Sequence, residues 1–531
     1  MADTGTTLVD LMARRVSAEP DTTYFNLYDE VVSYAKLWHE SARYAAGLRK
    51  AGVDRGDRVC LIYPTCKEFF FTFFGALRLG AVPVPLYPTL GVEATANVFR
   101  DSEAKVVTTI GWFRKGVEES QAAAPQMRHV LEPQDLEVDG PAPALPTAEE
   151  SDIAFIQYTS GSTGSPRGVV LSHANVTHTV AFMAEAAFLK RDDVVVSWLP
   201  LYHDMGLIGC AFTPPSIGAP LWLLPPDLKN PRTWLELATR VKASFTVSPD
   251  FGFRNCVRNI GDTTGIDLSS LKQALSGAEP VRLSTIEDFE KKFDCPNVIS
   301  PCYGLAEATL AVAIWPRRTP LRLDTSGRFL SVGPPCRGVS VRIVDEAGPV
   351  GPGVEGEICV QSPGVMQGYY RNPEATRRVL SPDGWLRTGD LGFLDREGFL
   401  FVTGRLKDLI ILGGANLVPA DVEEIVDHVP GVRYSAAVGI ESERTGSQRL
   451  HVVAEVREGA DDVESLSRLV REIVQRVHHG GGHRPARVLL VRPGTIPKTS
   501  SGKIQRSRLA QMIAGEELGE RIVYASGGHR S

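Results

Sequence analysis

Residues 153–171 read IAFIQYTSGSTGSPRGVVL. The apolar runs Ile153–Tyr158 and Val169–Leu171 predict two strands joined by a loop of small residues. This loop offers closely spaced backbone N–H groups, small hydroxyl side chains, and glycines that let the backbone approach a ligand. Arg167 adds positive charge. These features suit the binding of a polyphosphate, although a flexible Gly/Ser surface hairpin would have the same composition. The Walker pattern GxxxxGK[ST] followed by a helix is absent.

Composition excludes several classes of protein. The chain has 531 residues, 43% apolar and 23% charged, with 50 Gly and 36 Pro, which favours a loop-rich α/β enzyme of two or more domains. Its net charge of −6 gives no electrostatic case for nucleic-acid binding. The apolar run Phe69–Tyr87 is interrupted by Arg78, Pro83 and Pro85, so stable membrane insertion is not expected. Scattered cysteines without a CxxC pair and the lack of a signal-like start predict a cytoplasmic protein.

The order of predicted elements gives the fold class. Helices and strands alternate in the first part of the chain, for example at Leu27–Leu48 (helix), Arg58–Tyr63 (strand) and Lys67–Leu79 (helix). A second α/β alternation spans residues 151–310, short strands between Gly and Pro turns follow at 332–402, and an α+β pattern begins after Gly404. We therefore predict an α/β fold: a large N-terminal domain of two α/β subdomains plus a β-rich subdomain, and a small mobile α+β C-terminal lid.

The loop motif YTSGSTGSPRG resembles the signature of the superfamily of acyl- and aryl-CoA synthetases, adenylation domains and luciferases, and further motifs follow in family order over about residues 20–512. The resemblance implies ATP-dependent activation of a carboxylic acid to its acyl-AMP with release of pyrophosphate, with ATP and Mg²⁺ bound. It also implies an adenylation domain at 1–404, a hinge at 405–408 and a lid at 409–531. The loop residues assigned to ATP are Thr159, Ser160, Gly161, Ser162, Thr163, Gly164 and Arg167.

Two predicted strand ends carry further candidates. Residues 276–280, SGAEP, end a strand with a glycine turn, where ligands bind in open α/β sheets. An ordinary strand-to-helix turn would look alike, but the resemblance implies adenine contacts from Gly277, Ala278 and Glu279. In YGLAEAT, 303–309, Tyr303 offers a flat face to a purine and Glu307 a hard oxygen ligand for Mg²⁺. The resemblance adds Gly304 to the nucleotide site and Thr159 to the metal site.

The C-terminal candidates lie in three motifs. Asp390, after Thr388 and Gly389, can accept hydrogen bonds from both ribose hydroxyls, although an acidic residue after Gly is typical of any turn. In GRLKD, 404–408, the resemblance implies that Arg405 reaches the ribose or phosphate and that Lys407 is the pivot. Lys503 in PKTSSGK could be a solvated lysine. The resemblance instead implies the catalytic lysine, which would stabilise charge between the carboxylate and the α-phosphate.

The acid would lie near PLYHDMG, 200–206, after an apolar strand. A His beside a carboxylate there could line a cleft or simply be packed. The resemblance implies an acyl pocket and a catalytic role for His203, with pocket residues Tyr202, His203, Asp204, Met205 and Gly206. The form LPLYHDMGLIG resembles the fatty-acyl-AMP ligase branch, which loads carrier proteins. Apolar residues near this motif fit an aliphatic chain or core packing equally well: Ile208, Phe212 and Trp222.

The motifs disagree about which thiol accepts the acyl group, that of a carrier protein or that of CoA. LPLYHDMGLIG, YGLAEAT and GRLKDLII favour transfer of a medium or long fatty acyl group to the phosphopantetheine of an acyl carrier protein. Only 22 residues separate Leu310 from Gly333, where fatty-acyl-AMP ligases usually carry a longer insertion, and Gly413–Asn416 followed by Pro419 resembles the pantetheine-facing segment of CoA ligases. The alternatives are an acyl-CoA ligase, an amino-acid or aryl-acid adenylating enzyme, and a catalytically silent acyl- or nucleotide-binding protein.

Overall fold

The structure, a computed structural model, describes residues 6–28, 30–138, 143–145, 148–159, 166–412, 415–441, 448–457, 462–498 and 504–526. The chain divides into two compact units. Among the described residues, the first comprises the chain up to Thr388 together with Phe393–Val402, and the second comprises Gly389–Gly392 and the chain from Thr403 onward.

The helices and strands up to residue 405 are as follows. The α-helices are α1 (Leu8–Ala18), α2 (Tyr34–Lys50), α3 (Lys67–Arg78), α4 (Val92–Ser102), α5 (Gly111–Ala122), α6 (Pro133–Leu136), α7 (His173–Ala186), α8 (Thr213–Ser216), α9 (Arg232–Arg240), α10 (Asp250–Asn259), α11 (Leu283–Lys292) and α12 (Pro373–Val379). The strands are β1 (Thr23–Leu27), β2 (Glu30–Ser33), β3 (Arg58–Ile62), β4 (Val82–Pro85), β5 (Val106–Thr109), β6 (His129–Leu131), β7 (Ile153–Thr159), β8 (Arg167–Ser172), β9 (Val195–Ser197), β10 (Leu221–Leu223), β11 (Phe245–Pro249), β12 (Gln273–Gly277), β13 (Ile299–Gly304), β14 (Ala311–Ile314), β15 (Ser331–Gly333), β16 (Ser340–Val344), β17 (Gly356–Gln361), β18 (Gly368–Tyr369), β19 (Leu386–Leu394) and β20 (Leu400–Arg405).

An eight-stranded sheet organises the first unit, in the order β14-β13-β12-β11-β9-β10-β1-β2. The six strands from β13 to β1 are parallel, and the two edge strands are antiparallel. Because strands buried on both faces need continuous apolar runs, β11 and β12 are buried along their whole length. A second sheet, β4-β3-β5-β6, is parallel throughout. The α/β class predicted from the sequence is confirmed.

The predicted helix Leu27–Leu48 is wrong at its beginning. The chain forms β1, turns at Tyr28 with φ 56°, and returns as β2 before α2 starts at Tyr34. Ser33 caps this helix, since its side chain accepts a hydrogen bond from the Lys36 N–H. The apolar residues before Tyr34 satisfy strand alternation as well as helical spacing, so periodicity alone could not separate the two.

The β-rich pattern at 332–402 becomes a five-stranded sheet, β15-β20-β19-β17-β16. The remaining elements are β21 (Ile410–Leu412), β22 (Ala415–Leu417), α13 (Pro419–Asp427), β23 (Val432–Glu441), β24 (Gln448–Val456), α14 (Val463–Gly481), β25 (Arg487–Val491), α15 (Arg506–Ala514) and β26 (Ile522–Ala525). The strands β23 to β26 form one sheet in that order. The described helices include none with both the length and the apolar character that a membrane crossing requires.

Candidate active site

The strands β7 and β8 form the antiparallel hairpin expected around the glycine- and serine-rich loop. Thr159 pairs with Arg167 at its end, and the Thr159 hydroxyl lies 3.5 Å from the Arg167 carbonyl oxygen. The candidate phosphate ligands at residues 160–164 lie outside the described residues. The structure therefore places the two ends of the loop, Thr159 and Arg167, side by side.

A tyrosine that the sequence did not single out joins this hairpin to Glu307. Tyr369 lies on β18, which pairs with β8, so that Tyr369 is opposite Val169. Its hydroxyl donates a hydrogen bond of 2.8 Å to Glu307 Oε1, and the Arg167 guanidinium lies 5.4 Å from its ring centroid. Burial, followed by the Glu307 charge, raises the pKa of Tyr369, so its hydroxyl stays protonated and remains a donor. Arg167, Tyr369 and Glu307 form one cluster.

The backbone around Glu307 is fixed in a tight turn. Glu307 lies in the 3₁₀ turn Ala306–Ala308, and its carbonyl accepts the Met366 N–H at 2.9 Å. Thr309 follows with φ 66°, and its hydroxyl donates to the carbonyl of Gly364. A non-glycine residue with positive φ is held there only if its surroundings impose it. The carboxylate that the sequence predicts as a metal ligand is thus positioned by contacts on both sides of its turn.

The carboxyl ends of β12 and β13 carry the candidate nucleotide residues. A Cβ at Gly304 would lie 1.6 Å from the Leu310 carbonyl oxygen, and one at Gly277 would lie 2.7 Å from Cys302 Sγ. Close packing alone therefore requires glycine at both positions. Ala278 has φ 65°, a turn conformation, and Tyr303 is half-buried on β13. The parallel strands bring these residues to one edge of the sheet, as the strand-end argument predicts.

Glu279 is engaged inside the protein. Its Oε1 accepts the Phe251 N–H at 2.6 Å, which ties the end of β12 to the first turn of α10. Burial and the nearby Asp250 raise the pKa of Glu279 to about 7. Asp250 itself accepts the Arg282 N–H at 3.1 Å and lies 3.6 Å from the Arg254 guanidinium. Glu279, the predicted adenine contact, therefore also holds the first turn of α10, the helix that follows the neighbouring strand β11.

The segment PLYHDMG leads into a π-helix, Met205–Phe212. The Met205 N–H donates to Asp204 Oδ1 at 2.7 Å, and His203 Nδ1 lies 2.8 Å from that same oxygen. Gln157 of β7 donates to the Tyr202 carbonyl at 2.6 Å, which attaches the segment to the loop hairpin. A Cβ at Gly206 would lie 2.2 Å from the Pro200 carbonyl oxygen, so this glycine is a packing requirement. Single π-helical turns are frequent at functional sites.

The apolar residues beside this segment differ in how deeply they are buried. Ile208 and Phe212 are buried core residues, and the Phe212 ring packs against Phe73 and Phe155 at 5.4 and 6.4 Å between centroids. Trp222 on β10 is partly buried. Of the two interpretations left open for these three residues, core packing describes Ile208 and Phe212.

In the second unit, Asp390 and Arg405 are in contact. Arg405 Nε lies 2.5 Å from Asp390 Oδ1, and Asp390 is almost fully buried. Gly389 precedes it with φ 72°, a conformation that favours glycine. Lys407 lies in the next turn, the 3₁₀ segment Leu406–Asp408. The two residues assigned to the ribose are therefore neighbours, on adjacent strands β19 and β20.

Lys503 lies outside the described residues, but the base of its loop is described. Lys498 and Ile504 form a β-bridge across it, and the Lys498 ammonium lies 3.2 Å from the Tyr434 ring centroid. Arg506 begins α15 directly afterwards, and its guanidinium contacts Glu423 at 2.6 Å and Asp408 at 3.2 Å. These contacts link the end of the lysine loop to the turn that holds Lys407.

Comparison with known proteins identifies the family. Residues 12–370 match the family model described as AMP-binding enzyme. The chain is 32% identical to the medium-chain-fatty-acid–[acyl-carrier-protein] ligase JamA of Moorena producens, covering 94% of each protein. It is 34% identical to the long-chain-fatty-acid–AMP ligase FadD26 of Mycobacterium marinum, covering 96% of this chain and 97% of the relative. A 4-hydroxyphenylalkanoate adenylyltransferase of Mycobacterium tuberculosis is 33% identical over 96% of this chain and 92% of its own length.

Two solved structures match this chain over almost its whole length. The structure superposes on a fatty acyl-adenylate ligase from work on the E. coli and L. pneumophila enzymes with a TM-score of 0.87 and 29% identity, covering 96% of this chain and 98% of the other. It superposes on McyG A-PCP complexed with phenylalanyl-adenylate with a TM-score of 0.90 and 25% identity, covering 98% of this chain and 85% of the other. The chain therefore belongs to the AMP-binding enzyme family and is an adenylate-forming ligase of the acyl-adenylate-forming superfamily.

Proposed function

We propose that this enzyme activates a medium- or long-chain fatty acid as its acyl-AMP and then transfers the acyl group to the phosphopantetheine thiol of an acyl carrier protein. The observation that carries the adenylation step is the cluster of Arg167, Tyr369 and Glu307 at the end of the loop hairpin. It places a cation and an oriented carboxylate beside a loop composed for binding phosphates.

In the first step a carboxylate oxygen of the acid attacks the α-phosphorus of ATP, and the bond to the β-phosphate oxygen breaks to release pyrophosphate. The chain needs no nucleophile of its own for this displacement, so its residues act by position and charge. Arg167 and the hairpin loop would hold the phosphates. Lys503 would stabilise the charge that develops at the α-phosphate, and His203 would line the path of the acid.

The residues present fit a magnesium ion carried by the nucleotide. No group of three or more His, Cys, Asp or Glu side chains within the described ranges could hold a metal alone. A single carboxylate such as Glu307, with a hydroxyl such as Thr159, is the donor set of a Mg²⁺ that keeps waters and substrate phosphates as its other ligands. When bound, the ion would supply neutralisation of phosphate charge. The protein's part is to orient Glu307 through Tyr369.

The names of JamA and FadD26 support a fatty acid as the substrate, and an aryl acid is the second candidate because a 4-hydroxyphenylalkanoate adenylyltransferase is related at the same level. The motif Tyr202–Gly206 does not separate the two. A panel of saturated acids and arylalkanoic acids in a carboxylate-dependent ATP–pyrophosphate exchange assay would decide the class.

Transfer to a carrier protein competes with transfer to CoA. In this second step a thiol sulfur attacks the acyl carbon, the bond to AMP breaks, and the thiol proton leaves to solvent. JamA is named as a carrier-protein ligase, which supports the preferred acceptor. The alignment with JamA extends over 557 positions, more than this chain has residues, so JamA carries insertions that are absent here.

The stretch between β14 and β15 is short, and it is held both by a contact within itself and by ion pairs to the turn between β19 and β20. Trp315 is buried with its indole N–H donating to the Thr319 carbonyl, and Arg322 pairs with Asp395 and Glu397 at 2.9 and 2.8 Å. Mass spectrometry of products formed with CoA and holo-carrier protein in competition tests the acceptor. Acyl-CoA as the dominant product would overturn the carrier-protein assignment while leaving adenylation intact.

We further propose the organisation 1–404, 405–408 and 409–531, with Lys407 as the pivot and Lys503 on the lid. One site must serve two different reactions, and a rotating lid can present a different face for each. Lys503→Ala should lower the rate of ATP–pyrophosphate exchange about 100- to 1,000-fold, while ATP still binds. Arg508→Ala, an exposed residue of α15, is the matched control. Full exchange in the Lys503 variant would refute the role of that lysine.

A further inference from the structure

The π-helix Met205–Phe212 is followed by two prolines. The helix begins within the segment predicted for the acyl pocket and runs directly into α8 (Thr213–Ser216). Pro214 and Pro215, which lie in α8, have no N–H group. The carbonyls about one turn earlier therefore lack the backbone donor that would continue the helix. These carbonyls need donors from elsewhere in the protein, because a buried carbonyl without a partner is costly.

Side chains of the N-terminal segment supply such donors. Three of them donate hydrogen bonds to carbonyls at the end of the π-helix and in α8: Tyr24 to Ala211 at 2.7 Å, Tyr34 to Pro215 at 2.6 Å, and Arg15 to Ser216 at 2.6 and 3.0 Å. Pro215 stands at the position whose N–H an α-helix would bring to the Ala211 carbonyl, so the Tyr24 hydroxyl takes the place of that N–H. The three donors lie on α1, β1 and α2. The chain after the π-helix is therefore capped by residues that lie 181 to 201 positions earlier in the sequence.

The two tyrosine donors are part of the core. Tyr24 and Tyr34 are only 3% and 1% exposed, and their rings meet edge to face at 5.3 Å between centroids. Burial is the main cause that raises the pKa of Tyr24 and raises the pKa of Tyr34 to about 12, so both hydroxyls stay protonated and donate. Tyr24 also packs against Phe70 and Phe74 of α3 at 6.0 and 6.3 Å. The core of the N-terminal segment therefore fixes the place of these donors.

The start of the π-helix is held by different contacts. Gln157 of β7 donates to the Tyr202 carbonyl just before the helix, and a Cβ at Gly206 would lie 2.2 Å from the Pro200 carbonyl oxygen. A π-turn closes one residue later than an α-turn, so a change to α geometry would shift one end of the helix by one position relative to the other. Contacts that hold both ends therefore oppose this change.

We propose that Arg15, Tyr24 and Tyr34 are positioning residues for the carboxylic acid. Their hydrogen bonds hold the π-helix in its wide form, and this form sets the place of Met205 and Gly206 in the acyl pocket. Loss of one donor lets the helix relax and weakens the use of the acid. The use of ATP stays unchanged, because the cluster beside the loop hairpin is built on other elements. This inference rests on the proposed adenylating function and on the assignment of the acyl pocket.

ATP–pyrophosphate exchange with acid and ATP varied separately tests the proposal. Tyr24→Phe deletes the donor to the Ala211 carbonyl and keeps the ring in the core. For the acid that the wild type uses best, kcat/KM should fall about 5- to 10-fold, mainly through a higher KM for the acid, while KM for ATP stays unchanged. Tyr44→Phe is the matched control, because it deletes the hydroxyl of another buried tyrosine, which lies 3.4 Å from Glu137 Oε1. The control should keep the KM of the wild type for the acid.

The outcomes separate this proposal from the proposed function. An active Tyr24→Phe variant with an unchanged KM for the acid would overturn the positioning role and leave the adenylating function standing. Equal effects of the Tyr24 and Tyr44 changes would also overturn it, since a general loss of core stability would then explain both. If Tyr24→Phe does not fold, Arg15→Gln, at a partly exposed position, must raise KM for the acid in its place, and an unchanged KM overturns the proposal. Absence of exchange in the wild type with every acid would remove both proposals.

Discussion

Replacing Tyr369 by Phe should impair the use of ATP without affecting the acid. The change deletes one hydroxyl and keeps the ring that faces Arg167. The lost contact is a 2.8 Å hydrogen bond to a carboxylate oxygen of Glu307. Hydrogen bonds to charged groups contribute about 1.5–3 kcal/mol. If that energy orients Glu307 for the nucleotide, kcat/KM for ATP should fall about 10- to 100-fold.

The assay is ATP–pyrophosphate exchange at saturating acid, with ATP and Mg²⁺ varied separately. The Mg²⁺ concentration for half-maximal rate should rise, whereas KM for the acid should stay unchanged. Tyr370→Phe is the matched control because it makes the same change one residue along the chain, where the ring faces Arg58. A Tyr369 variant with the ATP and Mg²⁺ dependence of the Tyr370 variant would refute the positioning of Glu307 by this hydroxyl.

Two further predictions concern stability. Burial raises the pKa of Glu279 from 4.5 to about 7. Between these two pH values the native state retains a proton that the unfolded chain releases. The free energy of unfolding should therefore fall by about 1–3 kcal/mol as the pH rises from 4.5 to above 7. Glu279→Gln should abolish this loss of stability, measured as the free energy of unfolding in urea at pH 5 and at pH 8. A variant that loses as much stability between these two pH values as the wild type would contradict the prediction. Arg506→Gln leaves Glu423 and Asp408 without their partner and should destabilise the second unit by about 3–5 kcal/mol. Urea unfolding measures this loss against Arg508→Gln, and equal stability of the two variants would exclude it.

Local signals in the sequence were sufficient for the elements that frame the site. The hairpin of β7 and β8 was predicted because two apolar runs flank residues that favour a turn, and each strand is specified within itself. The first turn of the predicted helix at Leu27 failed because a short hairpin there has the same apolar spacing. α15 and β26 were missed, since α15 follows directly on the loop that contains Lys503 and β26 pairs only with β25.

The side chains that act at a distance could not be found in this way. Tyr369 meets Glu307 across 62 positions of sequence, and GYYR carries no sign of that pairing. The only available signal was a tyrosine beside a glycine just before a helix cap. Glu279 was expected to face the nucleotide, and its bond to Phe251 depends on the order of neighbouring strands.

The division of the chain into two units affects how its C-terminal part can be exchanged between related enzymes. Gly389–Gly392 group with the C-terminal part, although the residues on either side of them group with the N-terminal part. A fragment that begins at Thr403 would keep Arg405 and lose Asp390, the residue with which it pairs. Recombination between relatives at a single crossover near residue 403 would therefore combine an arginine from one parent with an aspartate from the other. Natural or engineered exchange of the C-terminal part preserves this pair only if four residues, Gly389–Gly392, are exchanged with it.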